Sequence, residues 1–155
     1  MNKHSKLPRE QAGVMLLEAL IAILVFSLGI LSLVALQATS IKLTGDAKYR
    51  TDATLLANRL IGQMWVSGGD LATLTNNFAS AGPGAAYTAW LSDVAGTEGL
   101  PGVVAASSGV VSTLPTVTVD GAGVVEITLF WRTPEMATDV PGHRHVVVSQ
   151  VVRNP

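Results

Sequence analysis

An unbroken apolar run near the N-terminus constrains this chain more than any other feature. Residues 14–36 read VMLLEALIAILVFSLGILSLVAL, which is 23 residues with one charge, Glu18, and no proline. A helix needs about 20 such residues, each rising about 1.5 Å, to cross the hydrocarbon core of a membrane. The run is therefore predicted to be a transmembrane helix, residues 14–36.

The residues before this run predict its orientation. Lys3, Lys6 and Arg9 precede the run, against one acidic residue, Glu10. Basic flanks stay in the cytoplasm, so the N-terminus is predicted to be cytoplasmic and the rest of the chain to lie on the other side of the membrane. A cleaved secretory signal fits poorly because the uncharged stretch from Ala19 to Gln37 exceeds the usual 7–15 residues. An uncleaved anchor explains the length and the orientation, but it does not explain Glu18.

Glu18 is the residue of this run that a simple membrane anchor does not explain. A carboxylate inside a membrane helix is costly, and such residues usually serve a task. No Lys, Arg or His lies between Glu10 and Lys42, so the chain offers a cation at that depth only if the bond after Gly13 is cut. The new amino group of Val14 would then lie four residues from Glu18. A neighbouring subunit shifted along the helix could offer its amino group to Glu18, and a buried pair of this kind specifies register more than it adds stability.

The segment Gly13–Ala22, GVMLLEALIA, resembles the class III signal of type IV prepilins and of the pseudopilins of type II secretion. The resemblance implies that a membrane-embedded prepilin peptidase cuts after Gly13 and methylates the new N-terminus at Val14, leaving residues 1–13 as a leader. It also implies that Glu18 acts in assembly. Val14 stands where phenylalanine is usual. The predicted membrane and filament-core positions on this helix are Val14, Leu17, Leu20, Ile21, Leu24, Leu28 and Leu31.

Residues 37–66 turn polar but keep a helical period. Apolar residues follow one another at spacings of four, three, four and four, which predicts an amphipathic continuation of the helix packed against a sheet. An interior glycine disfavours a helix by about 1 kcal/mol relative to alanine, so an interruption at Gly45-Asp46, or loosening near Gly29, is left open. Ser67-Gly68-Gly69 is predicted to end the helix. The apolar stripe consists of Tyr49, Ala53, Leu56, Leu60 and Met64.

Residues 67–155 are predicted to form a small α+β head. Two short helices are expected over Asp70–Phe78, with Asp70 as N-cap, and over Tyr87–Ala95. Thr116–Asp120 and Val124–Thr133 alternate around a glycine-bearing loop and predict a β-hairpin, and His145–Val152 predicts a third strand. One face of the second strand should be buried; its residues are Val125, Ile127, Leu129 and Trp131.

A second, weaker resemblance lies in the head. Trp90 followed by Leu100-Pro101-Gly102 is similar to the region after the long helix in minor pilins of the PilV kind, the type IV pilus modification proteins. From the residues alone, Trp90 is expected to be a core anchor and Leu100-Pro101-Gly102 a turn. Together the two resemblances imply a pilin-like α+β fold, a long N-terminal helix packed on a small C-terminal antiparallel sheet.

The remaining residues favour neither an enzyme nor a nucleic-acid-binding protein. There is no cysteine, and no phosphate-binding loop, dinucleotide fingerprint or Gly-x-Ser-x-Gly motif occurs. His143 and His145 are too few for a metal site, so no metal or cofactor is predicted. Glu135 and Asp139, in the loop before the third strand, are interpreted as solvated. Beyond Trp65 three arginines face seven acidic residues, the wrong sign for tracking phosphates.

The resemblance therefore implies a minor pilin that primes type IV pilus assembly, supporting adhesion and twitching motility. Its expected partners are the prepilin peptidase, other minor and major pilins, the inner-membrane assembly platform and a tip adhesin. The expected location is the bacterial inner membrane, with the head in the periplasm, and then the pilus at the cell surface. Two alternatives stay open: a type II secretion pseudopilin, and an uncut membrane-anchored periplasmic binding domain.

Overall fold

The structure, a computed structural model, describes residues 10–68 and 70–151, with side chains from residue 13 onward. The predicted leader residues Lys3, Lys6 and Arg9, as well as Gly69 and Val152, lie outside the described residues. The chain divides into two compact units between Gly45 and Asp46. Its elements, in chain order, are α1 (Glu10–Ser67), α2 (Leu71–Phe78), α3 (Ala85–Val94), β1 (Thr116–Val119), β2 (Val124–Trp131) and β3 (His143–Gln150).

Helix α1 is continuous over its full range, so the interruption considered at Gly45-Asp46 does not occur. The helix also passes through Gly29 without a break. One interior glycine costs about 1 kcal/mol, whereas ending a helix and starting a new one repeats the unfavourable nucleation step. The helix ends after Ser67, where Gly68 has a φ of 57°, a left-handed conformation that favours glycine.

From Asp46 onward, α1 contributes a buried face to the core of the second unit. Ala53, Ala57, Leu60 and Met64 are buried there, while Tyr49 and Leu56 are half-buried against the same core. The predicted stripe is thus confirmed in its period. One position differs, because Ala57 and not Leu56 takes the central buried place.

The two short helices have different starts. Asp70 caps α2 as predicted: its Oδ1 accepts a hydrogen bond of 2.8 Å from the backbone N–H of Thr73, and that bond lowers the pKa of the carboxyl. Helix α3 begins at Ala85, two residues before the predicted start, and its N-cap, Gly84, makes no side-chain bond. Gly84 is needed there for another reason, since a Cβ would collide with the backbone of Asn76 and Asn77.

The three strands form one antiparallel sheet in the order β1-β2-β3. The loop between β1 and β2 is held by Asp120, whose Oδ1 accepts from the N–H groups of Ala122 at 2.9 Å and Val124 at 2.8 Å. Strand β3 begins at His143, two residues earlier than predicted, because it pairs with β2 as far as Trp131. The predicted inner face of β2 is confirmed, with Val125, Ile127, Leu129 and Trp131 all buried.

Two aromatic residues of α3 fasten the core of the second unit. The indole N–H of Trp90 donates to the carbonyl oxygen of Leu56 at 2.9 Å, and the hydroxyl of Tyr87 donates to that of Pro115 at 2.7 Å. Both side chains are buried, which confirms Trp90 as a core anchor, and burial raises the pKa of Tyr87. The described residues therefore form an α+β fold in which α1, from Asp46, packs with the sheet and α3 around one core.

Candidate functional site

The predicted core-helix positions form a large exposed apolar surface on α1. None of the seven is buried: their exposed fractions run from 54% at Ile21 to 67% at Val14 and Leu31. Among the described residues, Gly13–Ser67 is long and apolar enough to cross a membrane, and its most apolar part has no cover from this chain. An apolar surface of this extent requires lipid or protein around it.

The two serine hydroxyl groups of residues 14–36 donate hydrogen bonds to carbonyl oxygens of the same helix. The Oγ of Ser27 donates to the carbonyl oxygen of Ile23 at 2.7 Å, and that of Ser32 to the carbonyl oxygen of Leu28 at 2.9 Å. Such bonds to the preceding turn remove the cost of placing a hydroxyl in hydrocarbon. They leave Glu18 as the one polar side chain of residues 14–36 without such a bond.

Glu18 is exposed on the same helix, one turn after Val14. The single ion pair among the described residues joins Arg59 to Asp93, so Glu18 has no cation partner there. A carboxylate that lies in an apolar surface is stable only beside a counter-charge or in its neutral form. The arrangement suits recognition of a cation by an apolar helix.

Gly13 has no structural reason to be glycine. A Cβ built at this position meets no atom within 4 Å, so an alanine or a larger residue fits the helix. Glycine costs about 1 kcal/mol there relative to alanine. No contact among the described residues requires glycine at this position, so any such requirement comes from binding to another molecule.

His143 and His145 lie on the same side of β3, as alternate residues of a strand do. Their rings nevertheless have separate contacts. The ring of His143 stacks on Trp131 at 5.7 Å between centroids, and the Nε2 of His145 lies 3.1 Å from the Oγ1 of Thr54. Within the described part of the chain, no group of three or more His, Cys, Asp and Glu side chains comes together to hold a metal ion.

Arg132 is the residue that the sequence analysis missed. It directly follows β2 and is only 5% exposed, and it borders a cleft between two loops of the head. The sequence offered one sign, a basic residue continuing a strand whose inner face is apolar. Its burial depends on tertiary contacts with Val111, 21 residues earlier, and Val140, 8 residues later, so no local pattern could reveal it.

Comparisons of the chain with protein-family models, with curated proteins and with solved structures find no match. The geometry and the residues themselves therefore carry the functional argument.

Proposed function

We propose that this protein is a minor pilin, a subunit that enters a type IV pilus through the apolar surface of α1 and takes part in priming its assembly. In this proposal the chain starts in the bacterial inner membrane with its head in the periplasm. The prepilin peptidase cuts after Gly13 and methylates Val14. The mature subunit then joins other minor and major pilins at the inner-membrane assembly platform. The assembled pilus supports twitching motility and, together with a tip adhesin, adhesion.

The observation that carries the proposal is Glu18, an unpaired carboxylate in an exposed apolar helix whose other polar groups are satisfied. A plain membrane anchor gains nothing from such a residue and bears its desolvation cost. In a helical bundle such a residue can specify the axial register of two neighbouring subunits. The ion pair forms only when Glu18 lies next to the new N-terminus of the neighbour. Gly13 makes no contact among the described residues that requires glycine, and the resemblance to the prepilin signal places the cut after it.

The mechanism is assembly, in which the apolar surface of α1 exchanges its lipid contacts for contacts with neighbouring helices. In the membrane, lipid covers side chains such as Leu20, Leu24 and Leu28; in the filament, neighbouring helices cover them. Since lipid tails are as apolar as leucine, the exchange contributes little hydrophobic free energy, and packing and the Glu18 pair specify the contact. In this proposal the prepilin peptidase carries out the cut and the methylation, and this chain supplies no catalytic group.

Intact-mass analysis tests the proposal directly. The protein is recovered from membranes of cells with and without the prepilin peptidase. We expect a peptidase-dependent loss of residues 1–13 together with one added methyl group on Val14. A full-length mass in both strains would refute the proposal and leave an uncut membrane-anchored domain.

Two matched variants make this experiment specific. Gly13→Leu and Gly29→Leu each place a leucine at a helical position with open space around it. Only Gly13→Leu should abolish the cut. If the Gly13 variant still yields the short form, cleavage occurs elsewhere.

Deletion of the gene then separates the pilus from the secretion system. Loss of surface pili and of twitching, with normal protein secretion, supports the minor pilin. Loss of secretion with normal pili would identify a pseudopilin instead.

A further inference from the structure

A cleft in the head lies next to the end of β2, and the proposal for α1 does not use it. Its volume is about 440 Å³, and most of its lining is apolar. One wall comes from the loop that contains Val104, Ala105 and Val110, and the other from Pro134 and Met136. Small-molecule sites in proteins commonly measure about 300–1,000 Å³, so the cleft is large enough to hold a small organic group.

Backbone hydrogen bonds hold the two walls in place. The N–H of Val111 donates to the carbonyl oxygen of Thr138 at 2.9 Å, which joins one loop to the other. The N–H of Arg132 donates to the carbonyl oxygen of Pro101, also at 2.9 Å, which fixes the first loop to the end of β2. A cleft tied in this way exists before any ligand arrives, so little ordering is required on binding.

Arg132 borders this cleft with a buried charge that has no carboxylate partner in the described residues. Its Nη2 donates to the carbonyl oxygens of Val111 at 3.1 Å and Val140 at 2.9 Å, while its Nε is buried without an acceptor. Glu135 and Asp139 belong to the neighbouring loop but are exposed and form no ion pair with it. Neutral carbonyls compensate a buried guanidinium only in part, and a buried N–H without an acceptor is costly.

We propose that the cleft binds a carboxylate carried on an apolar group, with Arg132 as its counter-charge. A carboxylate would supply the full negative charge that the two carbonyls lack, and hydrogen bonds between charged groups are stronger than those to neutral carbonyls. The apolar walls suit an aliphatic substituent. A phosphate fits less well, because it requires several hydrogen-bond donors and the walls are mostly apolar. The carboxylate can belong to a free organic acid or to the C-terminus of a peptide. This site is independent of the pilus proposal, and either can fail alone.

Nuclear magnetic resonance of the full chain in detergent micelles tests the site. With isotope-labelled arginine, the Nε–H group of Arg132 gives its own signal, which is assigned by its absence from Arg132→Lys. We expect isovalerate to shift this signal in a saturable manner and the uncharged isovaleramide to leave it unchanged. A second acid, acetyl-alanyl-leucine, has a peptide C-terminus. Tighter binding of this peptide indicates a chain terminus as the natural ligand, and tighter binding of isovalerate indicates a free acid.

Variants separate a binding role of Arg132 from a structural one. Arg132→Lys keeps the charge but loses the guanidinium and its further N–H donors, and isovalerate should bind about tenfold more weakly, measured by calorimetry. The control is Arg144→Lys, an exposed arginine on β3, which should leave the affinity unchanged.

Arg132 also holds two loops together through its hydrogen bonds to Val111 and Val140, so a variant at this position can fail to fold. A second pair of variants therefore leaves Arg132 unchanged. Ala105→Trp fills the cleft without touching the bonds of Arg132, whereas Ala106→Trp changes the next residue, which does not line the cleft. The first should abolish the response of the Arg132 signal to isovalerate, and the second should retain it. A signal that neither acid moves in the folded protein, or that the amide moves equally, would overturn the proposal and leave Arg132 as a fastener of the two loops.

Discussion

The two parts of helix α1, up to Gly45 and from Asp46, have similar leucines in opposite surroundings. Leu24 in the first part is 60% exposed, whereas Leu60 in the second part is fully buried. Leucine gains roughly 1.5–3 kcal/mol when it is removed from water, so both parts require cover. The second part finds it in the head of the same chain, and the first must find it in another phase or another molecule.

The polar groups follow the same division. In the head, buried donors such as the hydroxyl of Tyr87 and the indole of Trp90 reach backbone carbonyls. Within residues 14–36 of the first part, Ser27 and Ser32 bond to their own helix and only Glu18 is left. The second part is therefore stabilised by contacts within this chain, whereas the apolar surface of the first part depends on whatever covers it.

The largest expected effect compares two tryptophans of the second unit. Trp90→Ala should lower the free energy of unfolding by about 3–5 kcal/mol, because the side chain is buried and bonded to Leu56. Trp65→Ala should lower it by less than about 1 kcal/mol, because Trp65 is 48% exposed. Urea unfolding in micelles, followed by circular dichroism, measures both. Equal losses would show that burial in this core does not decide stability.

The next prediction makes the same substitution in both parts of α1. Leu60→Ala should cost the head about 2–5 kcal/mol, and Leu24→Ala should leave its unfolding curve unchanged. The same urea experiment applies. A loss of head stability in Leu24→Ala would contradict the division of α1 into a covered and an uncovered part.

A smaller effect is expected at the polar group of the first part. Glu18→Ala should leave cutting and membrane insertion intact but reduce incorporation into pili about tenfold, corresponding to about 1.4 kcal/mol. Quantitative immunoblotting of sheared pili against membranes measures the ratio. Ser27→Ala is the control, since its hydroxyl bonds within the helix. Normal incorporation of the Glu18 variant would remove the register hypothesis.

The smallest effect concerns a polar group inside the head. Tyr87→Phe removes the hydrogen bond to Pro115 and should cost about 1 kcal/mol. Because burial raises the pKa of Tyr87, the unfolded chain releases this proton at lower pH than the folded one. The advantage of wild type over the variant should therefore be constant below pH about 10 and shrink as pH rises through the folded pKa. A pH-independent difference would show that Tyr87 ionises equally in both states.

Local patterns predicted most of the elements correctly, and the errors have physical causes. The start of α2 was predicted correctly from Asp70, because the N-cap hydrogen bond of its side chain is local and reaches only to Thr73. The start of α3 was missed because Gly84 caps without a side chain, and the start of β3 because its first residue is set by pairing with Trp131. The sequence left open whether the helix passes Gly45, and it does, since the unfavourable propensity of one residue is weaker than the cooperativity of the helix.

The candidate sites divide in the same way. Gly13, Val14 and Glu18 could be proposed from sequence because the proposal depends on their spacing along one helix. Arg132 could not, because Val111 and Val140 come to it from loops on either side along the chain, and Val111 is 21 residues away.

The amino-acid sequence was sufficient to predict a long apolar helix with one carboxylate, an amphipathic continuation and a hairpin with an apolar face. These features follow from periodicity and composition within short windows, where each residue's neighbours are known from the chain. The tertiary structure alone decided that Ala57 takes the central buried place on α1, that Trp90 bonds to Leu56, and that Arg132 is buried beside a cleft. Those facts depend on contacts between distant segments, which are chosen by the packing of the whole core and not by any local preference.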